Sequence, residues 1–259
     1  QQQQQQTGRD SEAAARAEAE AFEVTAFDWR WASQLAVFDG QLFPPDQLGE
    51  RNACSRKDGY WAFVAKKEEP PADLTYGEFP LLLFSRLVDR ACELAGAAAD
   101  DRSAISLLDL GSGVGRLPLW AAATHVYRRV GGIEVLPSIA AQAEAKLAEA
   151  RAMPALIVTP DVQLVTGSWD EPHPIFSDVD VAFAYTTAIT ADEHGVLVGL
   201  SRALSQRLRA GSIVVTTEYT LEPEEFVLLE SIEGANPGVG GVSTGHIHRK
   251  LSDGEREQS

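Results

Sequence analysis

Asp109-Leu110-Gly111-Ser112-Gly113-Val114-Gly115 is the stretch that decides the fold of this chain. A short apolar run, Ile105 to Leu110, leads into it, and a helical pattern from Leu117 to Tyr127 follows. An apolar run of this length between turn residues reads as a buried strand. Strand, glycine turn and helix in that order form the ligand-binding edge of an open α/β sheet. The glycines allow a tight turn and close backbone approach, and the helix N-terminus offers N–H groups to an anion. The spacing narrows the ligand. In the dinucleotide pattern G-x-G-x-x-G the third glycine comes one residue later, where this chain has Arg116. The Gly-Lys-Ser/Thr of a phosphate loop is absent. Asp109 stands two residues before the first glycine. A fixed carboxylate there suits an ammonium or a ribose edge and repels phosphate.

Outward from this turn the alternation continues. Leu81, Phe84, Leu87, Val88, Ala91, Leu94 and Ala95 keep helical spacing upstream. Downstream, strands are predicted over 130–135, 162–165, 179–184 and 212–217, with helices over 138–151 and 192–209. Alternating strands and helices give a mostly parallel, Rossmann-like sheet covered on both faces. Two late strands, 226–231 and 246–251, lack a helix between them and predict an antiparallel hairpin around a Gly-rich loop, 234–245. Glu134 closes the second predicted strand in Gly131-Gly132-Ile133-Glu134. A carboxylate at that place can accept both hydroxyls of a ribose.

Residues 1–25 comprise the tract Gln1–Gln6, expected to be disordered, and an Ala/Glu-rich helix over 11–22 whose mostly Ala face buries little. Residues 26–75 form an aromatic N-terminal accessory region with Phe27, Trp29, Trp31, Phe38, Phe43, Tyr60, Trp61 and Phe63. Such density argues for packing. The region carries the local basic cluster Arg51, Arg56, Lys57, Lys66 and Lys67, read first as a solvated face and second as a contact for an acidic partner. Residues 76–251 are the ligand-binding domain and 252–259 a flexible tail. The formal net charge is −16, which disfavours extensive nucleic-acid contact. No apolar run approaches the roughly 18–20 residues needed to span a bilayer. Cys54 and Cys92 alone build neither a disulfide framework nor a zinc site. His246 and His248 fall on one strand face without a third ligand nearby, so no metal is expected. His173 lies in the loop after the third strand. A chain opening on Gln1 reads as truncated, and the expected setting is intracellular, nucleus or cytoplasm.

The D-x-G-x-G-x-G spacing resembles class I S-adenosylmethionine-dependent methyltransferases. Their ligand has an amino-acid end, a ribose and an adenine, and no phosphate. Thr75-Tyr76-Gly77-Glu78 ahead of an amphipathic helix, followed by Asp109–Gly115, resembles the disruptor-of-telomeric-silencing family, the histone-lysine methyltransferases without a SET domain. The resemblance runs from about Thr75 to Leu251. It implies S-adenosyl-L-methionine as cofactor, bound by Tyr76, Glu78, Asp109, Gly111, Ser112, Gly113, Val114, Gly115, Glu134, Ser168 and Trp169. It implies a methyl acceptor on a histone or another basic protein.

Several positions depart from that family. Its Asp-aromatic pair after the third strand is Ser168-Trp169 here. Trp169 can still cover an adenine, with Ser168 or Asp170 as hydrogen-bond partner. Its paired asparagines after the fourth strand correspond to Tyr185 and Thr186, taken as the residues at the transfer site. Thr216 and Thr217 match its serine pair, and the tryptophan of its last loop is missing. Besides a protein-lysine methyltransferase, the sequence accommodates a methyltransferase for a non-histone protein or small molecule, and a non-catalytic cofactor-binding interaction protein.

Overall fold

The structure, a computed structural model, describes residues 31–72, 74–98 and 100–257. The Gln tract, the Ala/Glu-rich stretch, Phe27 and Trp29 lie outside the described residues. The strands are β1 Arg102–Leu110, β2 Tyr127–Glu134, β3 Val162–Thr166, β4 Val181–Ala184, β5 Ile213–Thr217, β6 Phe226–Asn236 and β7 Gly241–Lys250. They form one sheet in the order β3-β2-β1-β4-β5-β7-β6. The neighbours from β3 to β5 are parallel, and β7 runs antiparallel to both β5 and β6. This is the expected Rossmann-like α/β sheet with its antiparallel hairpin strand.

Ile105 to Leu110 are all buried, because helices cover both faces of the central strand. Alternation then divides the core. Leu107, Val181, Phe183 and Val215 face one layer, and Leu108, Ala182 and Val214 face the other. The first layer holds α3 Leu81–Leu94, α4 Arg116–Thr124 and α5 Pro137–Ala152; the second holds α6 Val198–Arg207. The N-terminal region contributes α1 Leu48–Arg56 and α2 Ala62–Lys66, joined by a wider turn over Lys57–Trp61. Its aromatic residues divide. Trp31, Phe38 and Phe43 are buried in the first layer, where the Phe38 ring meets Trp120 edge-on at 5.2 Å. Tyr60 and Trp61 stay exposed. The described part of 26–75 is therefore a cover on the sheet domain's own core.

Several boundaries differ from the sequence reading: the helix expected over 117–127 ends at Thr124, and Tyr127 opens β2. The helix expected from Asp192 starts at Val198, because the Asp192 carboxylate accepts the N–H of His194 and Val196 and holds a turn. The Gly-rich stretch 234–245 is mostly strand, turned by Pro237–Val239. Gly234 and Gly245 are bare because Leu83 and Leu87 of α3 press on them. The expected flexible tail begins as a capped turn, α7 Asp253–Arg256. The Ser252 hydroxyl and the Glu255 carboxylate cap each other's backbone, and Arg249 pairs with Glu255 at 2.9 Å.

Candidate active site

Chain order reverses between β1 and β4, so the binding crevice lies at the carboxyl ends of these strands. The register aligns them. Leu110 pairs with Ile133 and with Ala184, Ala184 with Thr216, and Glu134 with Thr166. The residues that follow, Gly111, Glu134, Gly167, Tyr185 and Thr217, therefore come out along one edge. Above it lies a cavity of about 290 Å³. It is lined by 75–79, by 109–113 with Arg116, and by Glu134, Ser168, Trp169 and Tyr185.

Asp109 is buried in β1 and faces this cavity. Among the described residues no hydrogen bond reaches its carboxyl group. Burial, and then the charge of Glu134, push its pKa up to about 8. Glu134 is held differently. Its Oε2 accepts the Gly113 N–H at 2.9 Å, and its Oε1 accepts the Leu136 N–H at 2.9 Å. Burial raises its pKa, and these backbone donors oppose the rise. A carboxylate has about four acceptor sites, so two donors fix Glu134 and leave capacity toward the cavity.

The glycine loop explains its own spacing. Gly113 has φ +54°, and a Cβ there would stand 2.7 Å from Cε2 of Tyr76. Gly115 has φ +79°, and a Cβ would meet Leu164 at 3.0 Å and Ala143 at 3.3 Å. Gly113 thus admits the Tyr76 ring, and Gly115 lets α5 and β3 close behind the loop. Gly111 and Ser112 line the cavity, whereas Val114 is core.

Residues 75–79 run across the cavity as a strap. The Tyr76 hydroxyl donates to Glu78 Oε1 at 2.7 Å. Burial and the Glu78 charge raise the Tyr76 pKa far above its ordinary value, so it remains a donor. At the other end Trp169 is half-buried against the second core layer, and the Ser168 hydroxyl donates to Asp170 Oδ1. His173 accepts the Ile175 N–H at 3.1 Å, and its ring lies 3.6 Å from where a Cβ on Gly167 would be.

The two residues expected at the transfer site part company. Tyr185 lines the cavity, with its ring 5.0 Å from that of Phe79. Thr186 does not line it. Its side chain is fully buried, its hydroxyl donates to the Thr217 carbonyl, and its N–H donates to Thr217 Oγ1 at 3.0 Å. It ties β4 to β5, and Thr187 takes the cavity side.

Sequence reasoning missed two residues. Arg51, grouped with a solvated basic cluster, is buried, with Nε 2.6 Å from Glu78 Oε1. Arg116 lies 3.6 Å from Glu78 Oε2 and donates to the Phe79 carbonyl at 3.0 Å. The only sequence signal was charge complementarity with Glu78, which does not identify partners. His248 is also settled by contacts. It is buried, its Nε2 accepts the Leu221 N–H, and burial lowers its pKa to about 4. Among the described residues no group of three or more His, Cys, Asp or Glu could hold a metal ion, and no helix is long and apolar enough to cross a membrane.

No protein-family model matches the chain, and no curated protein matches it. Among solved structures it is similar to magnesium protoporphyrin IX methyltransferase (ChlM) from Synechocystis with bound SAH. Identity is 10% over 77% of this chain and 99% of that one, with a TM-score of 0.48. It is also similar to the rRNA methyltransferase aviRa from Streptomyces viridochromogenes, at 18% identity over 67% of this chain and 86% of that one, with a TM-score of 0.46. Neither name points to a histone-lysine enzyme, and likeness at this level leaves the chemistry to be read from this chain's own residues.

Proposed function

We propose that the protein is an S-adenosylmethionine-dependent methyltransferase. The observation that carries this is Asp109, a buried carboxyl group facing the cavity with no hydrogen bond to it among the described residues. A ligand that brings a cation stabilises the ionised form of Asp109, whereas a phosphate would meet that form only with a like charge. S-adenosylmethionine fits the residues present. Asp109 suits its ammonium, Glu134 its ribose hydroxyls, and Trp169 its adenine face, while the glycine loop and Tyr76 bound the middle of the cavity. When bound, the cofactor supplies an electrophilic methyl group on a sulfonium.

The chain's own part is alignment and exclusion of water. Tyr76 and the rest of the strap cover the cavity, and Tyr185 and Thr187 wall the acceptor end. An amine acceptor releases its proton to solvent before it attacks, so the site needs no strong general base. For the acceptor we put first a lysine amine on a basic protein such as a histone. The Tyr76-Gly77-Glu78 strap supports it, and a net charge of −16 attracts a basic segment. A non-histone protein or small molecule is the second reading. It is favoured by Tyr185, which fills with an aromatic ring the position where the resembling family has an amide.

The test is transfer of labelled methyl from S-adenosylmethionine to nucleosomes, free histones and a panel of small acceptors. Label on histone lysine is the expected result. Label confined to small acceptors or other proteins moves the assignment to the second reading. Absence of label with S-adenosylhomocysteine bound contradicts catalysis.

A further inference from the structure

The strap over the cavity does not hold itself. Glu78 side-chain oxygens receive groups from three parts of the chain. Arg51 Nε reaches Oε1 from α1 at 2.6 Å, the Tyr76 hydroxyl reaches the same oxygen from within the strap at 2.7 Å, and Arg116 Nε stands 3.6 Å from Oε2 at the start of α4. Arg51 is buried, and its Nη1 donates to the Pro44 carbonyl at 3.0 Å. The guanidinium is thereby fixed from both sides. Beyond Glu78 the contacts lead into the site. The Tyr76 ring lies on Gly113, and the Gly113 N–H is bonded to Glu134 at 2.9 Å.

We infer that Arg51 is a positioning residue for the cofactor site: from the N-terminal region, its ion pair with Glu78 locks the 75–79 strap, and with it the Tyr76 ring, over the cavity. The inference rests on the cofactor reading above. It gives the accessory region a role in binding that neither its aromatic content nor its basic residues indicated. Arg51 touches no ligand; it acts through Glu78 and Tyr76. A part-buried pair at this distance is a charge-assisted bond. Without Arg51, Glu78 keeps the Tyr76 hydroxyl, which belongs to the strap itself, and the more distant Arg116, so the strap loses its tie to α1 and loosens.

The test uses the full chain and S-adenosylhomocysteine as probe. Calorimetric titration is run on the intact protein, Arg51→Met, Arg51→Lys, Glu78→Gln and the double variant Arg51→Met/Glu78→Gln, each at a temperature where circular dichroism shows it folded. Hydrogen exchange of the 74–79 amides is followed with and without the probe. The expected result is a roughly tenfold or larger weakening for Arg51→Met, with partial recovery in Arg51→Lys. The double variant should be no weaker than Glu78→Gln alone, because the two residues act as one unit. Strap exchange in Arg51→Met should be fast, and the probe should no longer slow it. Unchanged affinity in Arg51→Met, or strictly additive losses in the double variant, overturns the inference. So does slow, probe-protected strap exchange in Arg51→Met. If Arg51→Met does not fold, Arg51→Lys against Glu78→Gln decides by the same exchange readout. Failure of the intact protein to bind is a different outcome, and it removes the cofactor reading itself.

Discussion

Asp109 is a residue whose charge the fold alone does not support. An unfolded Asp titrates near pH 3.9, whereas burial beside Glu134 moves Asp109 to about 8. Between those values the folded chain keeps a proton that the unfolded chain has lost. Its contribution to stability is full below about pH 4 and is lost as the pH rises through about 8. His248, lowered to about 4 by burial, acts in the opposite sense at acid pH, so the difference between two proteins isolates Asp109. Thermal melts of the ligand-free protein and Asp109→Asn should diverge from about pH 4 to about pH 8, with the variant gaining relative stability. Parallel curves would contradict the raised pKa. A cationic ligand needs the ionised form. Calorimetry in buffers of different ionisation enthalpy should therefore show proton release on S-adenosylhomocysteine binding below pH about 8, and none in Asp109→Asn. Gly113 is the companion case. Gly113→Ala puts a methyl against Tyr76 and forces an alanine to φ +54°, which costs roughly 1–2 kcal/mol. Binding should weaken at least about tenfold, since the ring must move; unchanged affinity would show that the strap is not seated on the loop.

At this scale the sequence disclosed what is local and hid what is distant. Asp109, the glycines and Glu134 stand at strand ends that a pattern of apolar runs locates. Tyr76, Trp169 and Tyr185 follow from the resemblance and all line the cavity. The resemblance pairs Tyr185 with Thr186, although the alternation of β4 carries on through them: Tyr185 and Thr187 line the cavity, and Thr186 points away and bonds to Thr217. Arg51 and Glu78 are 27 residues apart on different elements, and no periodicity pairs them.

Among elements, the β6–β7 hairpin and α3 explain why glycines occur where strands are. Gly245 of β7 has no room for a Cβ beside Leu87, which is fully buried in α3. Gly245→Ala should therefore lose about 1–3 kcal/mol of stability to overpacking. Gly49 in α1 is the contrary case, with nothing within 4 Å of a Cβ. Gly49→Ala should gain roughly 0.5–1 kcal/mol from helix propensity. Urea unfolding of both variants tests the pair, and equal effects would contradict the packing described. The sequence reading placed the hairpin but cut both strands short, because it took Gly234 and Gly245 as loop signals. Their cause is non-local, the press of Leu83 and Leu87. The late start of α6 had a local cause in the Asp192 turn, and that signal was present in the sequence.

For the whole molecule, the apolar runs were sufficient to give the fold class, a mostly parallel sheet with a late antiparallel hairpin, since strands alternating with helices leave few other arrangements. They did not reveal that the N-terminal region shares the sheet's core and holds the strap. That follows from Phe38 against Trp120 and Arg51 against Glu78, contacts that exist only in the folded chain. Every proposed role at the site requires that the edge between Asp109 and Trp169 bind S-adenosylmethionine. The most direct measurement of that binding is calorimetric titration of S-adenosylhomocysteine into the intact protein and into Glu134→Ala. The intact chain should bind at micromolar concentration, and the variant, whose ribose acceptor and Gly113 anchor are gone, should not. No binding to the intact chain, or equal binding to both, would contradict the assignment of this edge.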